Sequence, residues 1–206
     1  MAFVVSTLQK DIEDVFDSMT DGDNAVFANG IANAVVTFVG TGVVTTTDGG
    51  AVSGGSYVGS GTGSLSVTAT KCAKTIKDAC EAMMNMSSGG NDYLAEQIGK
   101  GIKQMADDGQ VTTTVTGTLT PPSSSPITPY GGTAKGTVKC SETSLISDLK
   151  SVFAQMWSNR GDDEYDGNLQ FAKKLAQAVN DFWTSGVVST DGEGNIAGSK
   201  GTGSIA

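Results

Sequence analysis

Two stretches near the start of the chain place apolar residues at helical spacing. Leu8, Ile12, Val15, Phe16 and Met19 share one face, and Phe27, Ile31, Val35 and Phe38 share another. The sequence then changes to Gly42-Val43-Val44-Thr45, where β-branched residues favour a strand. The same order returns in the last third, with Leu145, Leu149, Val152, Phe153 and Met156, then Phe171, Leu175, Val179 and Phe182, then Gly186-Val187-Val188-Ser189. The middle third follows more loosely: Ile76, Cys80 and Met83, then Leu94, Ile98, Ile102 and Met105, then Gly109-Gln110-Val111-Thr112. Recurrence at this spacing marks a chain built from copies of one small unit.

Punctuation supports that division. Turn formers separate the two helices of each unit: Thr20-Asp21-Gly22-Asp23-Asn24, Ser87-Ser88-Gly89-Gly90-Asn91 and Ser158-Asn159-Arg160-Gly161-Asp162. Short loops make sequential helices antiparallel, so each unit is expected to hold a helical hairpin. Gly40 or Gly42, Gly109 and Gly186 stand where left-handed glycine caps would end the second helices. Asp48-Gly49 and Asp191-Gly192 read as hairpin turns, with return strands through Gly61-Thr62-Gly63-Ser64-Leu65 and Gly201-Thr202-Gly203-Ser204-Ile205. All four prolines fall between Pro121 and Pro129, an expanded and exposed tip.

The fold expected is α+β: three tandem repeats, each a helical hairpin followed by a Gly/Thr-rich β-hairpin, packed as one body. The repeats span 1–67, 68–140 (with a Pro-rich loop at 120–132) and 141–206. Each helix pair has only a narrow apolar stripe, so the units must bury their stripes against one another. The hairpins are expected to pair between units or with neighbouring chains, and their Val/Thr-rich edges to accept an added strand.

Charge alters the picture more than composition does. The net charge is −9, which disfavours nucleic acid and anionic membranes as partners. Residues 1–67 carry 1 basic and 7 acidic side chains, residues 68–140 carry 7 and 6, and residues 141–206 carry 5 and 9. A common interior with three different exteriors implies three different neighbours. No apolar run approaches the roughly 18 residues of a membrane span. Met1-Ala2-Phe3-Val4-Val5 lacks the flank and length of a secretory signal, so assembly in the cytoplasm is expected. Cys72 and Cys80 lie on one helix face at roughly 12 Å, too far for a disulfide, and read as reduced packing residues.

Candidate chemistry is sparse. The chain has no histidine, which removes the usual general base, the Ser-His and Cys-His pairs and most zinc sites. Asp162, Asp163, Glu164 and Asp166 cluster in a turn-rich loop, where carboxylates are normally solvated. Calcium loops counted from Asp21 and Asp191 place Ala32 and Thr202 where a glutamate is required. Gly59-Ser60-Gly61-Thr62-Gly63 leads into a strand pattern, not the helix that a phosphate loop needs. Arg160-Gly161-Asp162 and Asn85-Met86-Ser87 match short motifs of exported proteins without an export signal. Lys71, Lys74 and Lys77, with Lys100 and Lys103, form a basic stripe that is either a docking face or a solvated one. Trp157 and Trp183 continue apolar faces and suit core or interface packing. No catalytic, cofactor-binding or metal site is assigned, and the chain is expected not to be an enzyme.

The units running from Phe27-Ala28 to Gly42-Val43-Val44-Thr45 and from Phe171-Ala172 to Gly186-Val187-Val188-Ser189 resemble structural proteins of tailed-bacteriophage virions. The middle third, with Leu94-Ala95 and the proline loop, departs from that pattern. The resemblance implies a non-catalytic virion assembly protein, capsid-associated as a decoration or cement subunit. A neck or tail component is one alternative, and a free adhesin or carbohydrate binder another. The implied partners are other virion proteins and the chain itself, with no nucleic acid, membrane or small-molecule substrate. The implied location is the virion, assembled in the host cytoplasm.

Overall fold

Helices form wherever the apolar spacing is helical, and strands wherever β-branched residues alternate with small polar ones. A computed structural model describes residues 3–19 and 23–206. Met1-Ala2 and the expected turn residues Thr20-Asp21-Gly22 lie outside the described residues, as does the start of the calcium motif counted from Asp21. The elements are α1 (Val5–Ser18), α2 (Asn24–Gly40), β1 (Val44–Val52), β2 (Gly55–Ser66), α3 (Thr70–Met83), α4 (Gly90–Asp108), β3 (Gln110–Thr120), β4 (Ile127–Lys139), α5 (Thr143–Ser158), α6 (Gly167–Thr184), β5 (Val187–Glu193) and β6 (Lys200–Ile205). The class is α+β, with six helices and six antiparallel strands among the described residues.

The strands close into a barrel in chain order, β6 returning to pair with β1. Val44 faces Ile205 across that seam, and Val43 and Ala206 exchange both backbone hydrogen bonds at its end, at 2.7 and 3.0 Å. The hairpins therefore pair with one another, but β1 and β4 outrun their neighbours: residues 50–52 lie beyond the ladder to β6 and residues 127–132 beyond the ladder to β5, so these far-end segments are paired on one side only. The helices close as well: each packs on the next, and α1 packs on α6. α2, α4 and α6 bury the wider faces and touch β2, β4 and β6 respectively. One apolar cluster runs through the helices into the near end of the barrel. At the opposite end of the helices Phe16, Phe27, Phe153 and Phe171 interlock, with ring centroids 5.3–6.3 Å apart. Such pairs add about 0.5–1.5 kcal/mol each beyond their buried area.

The barrel interior explains the glycine. A barrel of about eight strands is just wide enough for side chains to fill, so six strands leave less room. At the helical end six inward residues meet: Val44, Leu65, Val111, Val138, Val188 and Ile205, all buried. One step further along, β1, β3 and β5 carry Thr46, Thr113 and Thr190, while β2, β4 and β6 carry Gly63, Gly136 and Gly203. A Cβ on Gly63 would lie 2.7 Å from the Thr113 Cα, and one on Gly136 or Gly203 would lie 2.8 Å from the Thr190 or Thr46 Cα. Those are backbone atoms of the adjacent strand, so glycine is required there by close approach. Beyond this level Tyr57, Val115, Ala134 and Ile196 plug the far end, with Val52 and Tyr130 packed on them.

Three local expectations are corrected. Asp48-Gly49 and Asp191-Gly192 do not turn; they lie within β1 and β5. The chain reverses at Ser53-Gly54 and through a 3-10 turn at Gly194–Ile196, where Gly54 and Gly194 have positive φ. Both Asp-Gly pairs sit in strands paired on both sides, Asp48 between Gly59 and Gly201 and Asp191 between Lys135 and Lys200. The capping glycines are not left-handed: Gly40, Gly42, Gly109 and Gly186 are absent from the positive-φ glycines. At Gly42, Gly109 and Gly186 smallness serves packing at the helix-to-strand junction, since a Cβ on Gly186 would lie 2.7 Å from the Cys140 Sγ and 2.9 Å from a Val138 methyl, whereas Gly40 has nothing within 4 Å. The Pro-rich loop is shorter than 120–132, because Thr120 ends β3 and Ile127 already starts β4.

Candidate functional site

Two places in the molecule depart from what the framework alone needs. The first is inside the barrel. Register places Asp48 opposite Gly59 on one side and Gly201 on the other, so its side chain points inward, where it is 1% exposed. Thr46 donates its hydroxyl to Asp48 Oδ2 at 2.6 Å, and Thr190 donates to Oδ1 at 3.2 Å. Thr113 Oγ1 and Asp48 Oδ2 lie 3.1 and 3.2 Å from the point a Cβ on Gly61 would occupy, and Thr46 Oγ1 is closer still. Thr113 Oγ1, the Tyr57 hydroxyl and Ser199 Oγ are buried there without a hydrogen-bond partner. Burial pushes the Tyr57 phenol above its usual pKa, and the negative charge of Asp48 raises it further.

The second place is the tip of the helical layer. Trp157 near the end of α5 is 62% exposed, and Met86 after α3 is exposed across a groove from it. An open groove of about 570 Å³ runs between them, lined by Met83, Met86, Gly90, Ala154 and Trp157. The Arg160 guanidinium stacks 4.0 Å from the Trp157 ring centroid and donates to the Trp157 carbonyl at 2.7 Å. This holds the indole outward at an exposed position. Comparison with family models, curated proteins and solved structures finds no match.

The remaining sequence candidates fall into structural roles. Asp166 caps α6 by accepting from the Leu169 amide, and Asp162 accepts from the Glu164 amide. Among the described residues, these loop carboxylates included, no three His, Cys, Asp or Glu side chains gather as metal ligands. The basic stripe is largely neutralised within the chain: Lys71 pairs with Asp108, Lys74 with Asp78, Lys77 with Glu81 and Lys103 with Asp107. It is therefore largely a face of ion pairs, those of Lys71, Lys74 and Lys77 exposed to solvent. Gly59-Ser60-Gly61-Thr62-Gly63 lies in β2, and Arg160-Gly161-Asp162 follows α5 with its arginine occupied. Cys72, Cys80 and Cys140 are buried and free, and burial pushes the Cys72 and Cys140 thiols up to about 12. Trp183 is fully buried, while Trp157 is not, so the two tryptophans split between core and surface. Among the described residues no helix is long and apolar enough to cross a membrane. Asp48 was missed in the sequence because Asp-Gly reads as a turn; its alternation with Val44 and Thr46 was the signal for an inward position.

Proposed function

We propose that the chain is three copies of one α-α-β-β module and that it serves as a non-catalytic assembly protein of a virion. Within that reading it is a capsid-associated decoration or cement subunit, put together in the host cytoplasm and bound to other virion proteins. The observation that carries this is the contrast between inside and outside. Val44, Val111 and Val188 take corresponding inward places, as do Thr46, Thr113 and Thr190, and Gly63, Gly136 and Gly203. The exteriors of the same three segments carry net charges of −6, +1 and −4. Differences concentrated on the surface, with Asp48 an interior exception, suit a part that meets a different neighbour on each side.

The exposed Trp157 favours the tip of the helical layer as the contact surface. Burying an indole in a partner's pocket contributes strongly to protein association, and Trp is among the residues that dominate such interfaces. The strands are paired on both sides through most of the barrel, which favours side chains over backbone ladders in that contact. Co-sedimentation of the chain with density-purified particles, read by mass spectrometry, tests the role. Stoichiometric recovery with the shell protein supports it, and recovery only with neck or tail fractions moves the chain there. Absence from particles overturns the virion role. Trp157→Ala is expected to lower recovery at least tenfold while leaving the helical circular dichroism unchanged. A specific hit on a glycan array together with absence from particles would favour the free binding module.

A further inference from the structure

We infer that the barrel holds a single partly dehydrated alkali cation, such as sodium or potassium, on Asp48 and the threonine hydroxyls around it. A lone ionised carboxylate removed from water needs a compensating charge or proton. Among the described residues no ion pair engages Asp48, whose side-chain hydrogen-bond partners are Thr46 and Thr190. Thr113 Oγ1, 1% exposed and without a partner, converges with Asp48 Oδ2 and Thr46 Oγ1 on the inner face of Gly61. The Tyr57 hydroxyl, also buried without a partner, lies over the inner face of Gly59, directly across the ladder from Asp48. Carboxylate and hydroxyl oxygens are hard donors and suit alkali or alkaline-earth ions rather than metals that select nitrogen or sulfur. With one carboxylate in the layer, a monovalent ion leaves the interior neutral and a divalent ion does not.

The framework does not itself demand the acid. The positions on β3 and β5 that correspond to Asp48, one inward step beyond Thr113 and Thr190, are Val115 and Gly192. A valine is therefore compatible with that level of the barrel, and the carboxylate is an addition to it. Orphaned buried oxygens on two neighbouring strands are what a bound ion would satisfy.

Thermal unfolding of the full chain tests this, with sodium or potassium chloride exchanged for tetramethylammonium chloride at constant ionic strength. Binding to the folded state alone raises Tm by about 3–5 °C per tenfold rise in the bound ion across roughly 1 mM to 1 M, once its dissociation constant is passed. The wild type is expected to show that slope in one or both alkali salts, and Asp48→Asn, which keeps the hydrogen-bond acceptor, to lose it. If Asp48→Asn does not fold, Thr113→Val removes one oxygen and is expected to shift the response to higher salt. Rubidium-soaked crystals are expected to give an anomalous peak beside Asp48. A wild-type Tm that is the same in all three salts overturns the inference, as does a water, or no peak, at that position.

Discussion

Replacing Gly203 by alanine tests whether the barrel is as tight as its geometry implies. The added Cβ would lie 2.8 Å from the Thr45 carbonyl carbon and 2.8 Å from the Thr46 Cα, with the Thr45 carbonyl oxygen nearer still. Carbon atoms pack best at about 3.5–4.0 Å, so roughly an ångström must be recovered. The obstructing atoms belong to the backbone of β1, which is hydrogen-bonded to β2 on its other side and cannot swing aside as a side chain would. Overpacking of a tight interior costs about 1–3 kcal/mol and sometimes more, and the rigid obstacle puts this case at about 3 kcal/mol. For a chain of this length that is a fall in Tm of about 6–12 °C. Gly63→Ala and Gly136→Ala face the same obstacle on β3 and β5 and are expected to fall by similar amounts. Gly40→Ala is the control: nothing lies within 4 Å of its Cβ, so it is expected to be neutral or to stabilise by about 0.4–1 kcal/mol. Melting curves by circular dichroism in the far and near ultraviolet give all four values. A Gly203→Ala protein that melts within about 2 °C of wild type, less than the shift from 1 kcal/mol, would refute the close approach.

Other expectations rest on the helical layer and the thiols. Phe171 is 1% exposed and touches three other phenylalanine rings, so Phe171→Ala is expected to cost about 3–5 kcal/mol in urea unfolding. Asp166→Ala removes the acceptor for the Leu169 amide at the start of α6 and is expected to cost about 1 kcal/mol, with Asp166→Asn recovering most of it. The Cys72 and Cys140 thiols, raised from 9.0 to about 12, favour the folded state fully below pH 9. Because the folded values are the higher ones, that contribution is lost as pH climbs from 9 towards 12, and Cys72→Ala/Cys140→Ala is expected to flatten the alkaline end of a stability profile. The same burial predicts that a disulfide reagent at neutral pH reacts with these thiols only after denaturant is added.

The helices were legible because each makes its own hydrogen bonds, leaving apolar spacing to report the buried face directly. Leu8, Ile12, Leu145, Leu149, Phe171 and Phe182 are all buried where period 3.6 places them. Strand composition was legible too, but not strand ends. Asp48-Gly49 obeys the local rule for a turn, yet the ladder to β6 carries both residues past it, and a pairing between opposite ends of the chain leaves no local trace. The junction glycines showed the same limit: sequence does not tell that Gly42, Gly109 and Gly186 serve by smallness rather than rotation, or that Gly40 has open space around it. The basic stripe was visible as a row of lysines, whereas its neutralisation depends partly on Lys71 reaching Asp108 on a different helix. Asp48 needed the whole barrel: only closure turns an ordinary turn residue into a buried carboxylate.

Closure has a kinetic side. β1 and β6 occupy nearly opposite ends of the sequence, so the seam between them is the last ladder that can form as the polypeptide emerges. Until then β1 and the newest strand each expose an open backbone edge, and long-range pairing of this kind slows folding. Nascent or truncated forms are thus the ones prone to sticking together, and solubility during synthesis hangs on how fast the final hairpin docks.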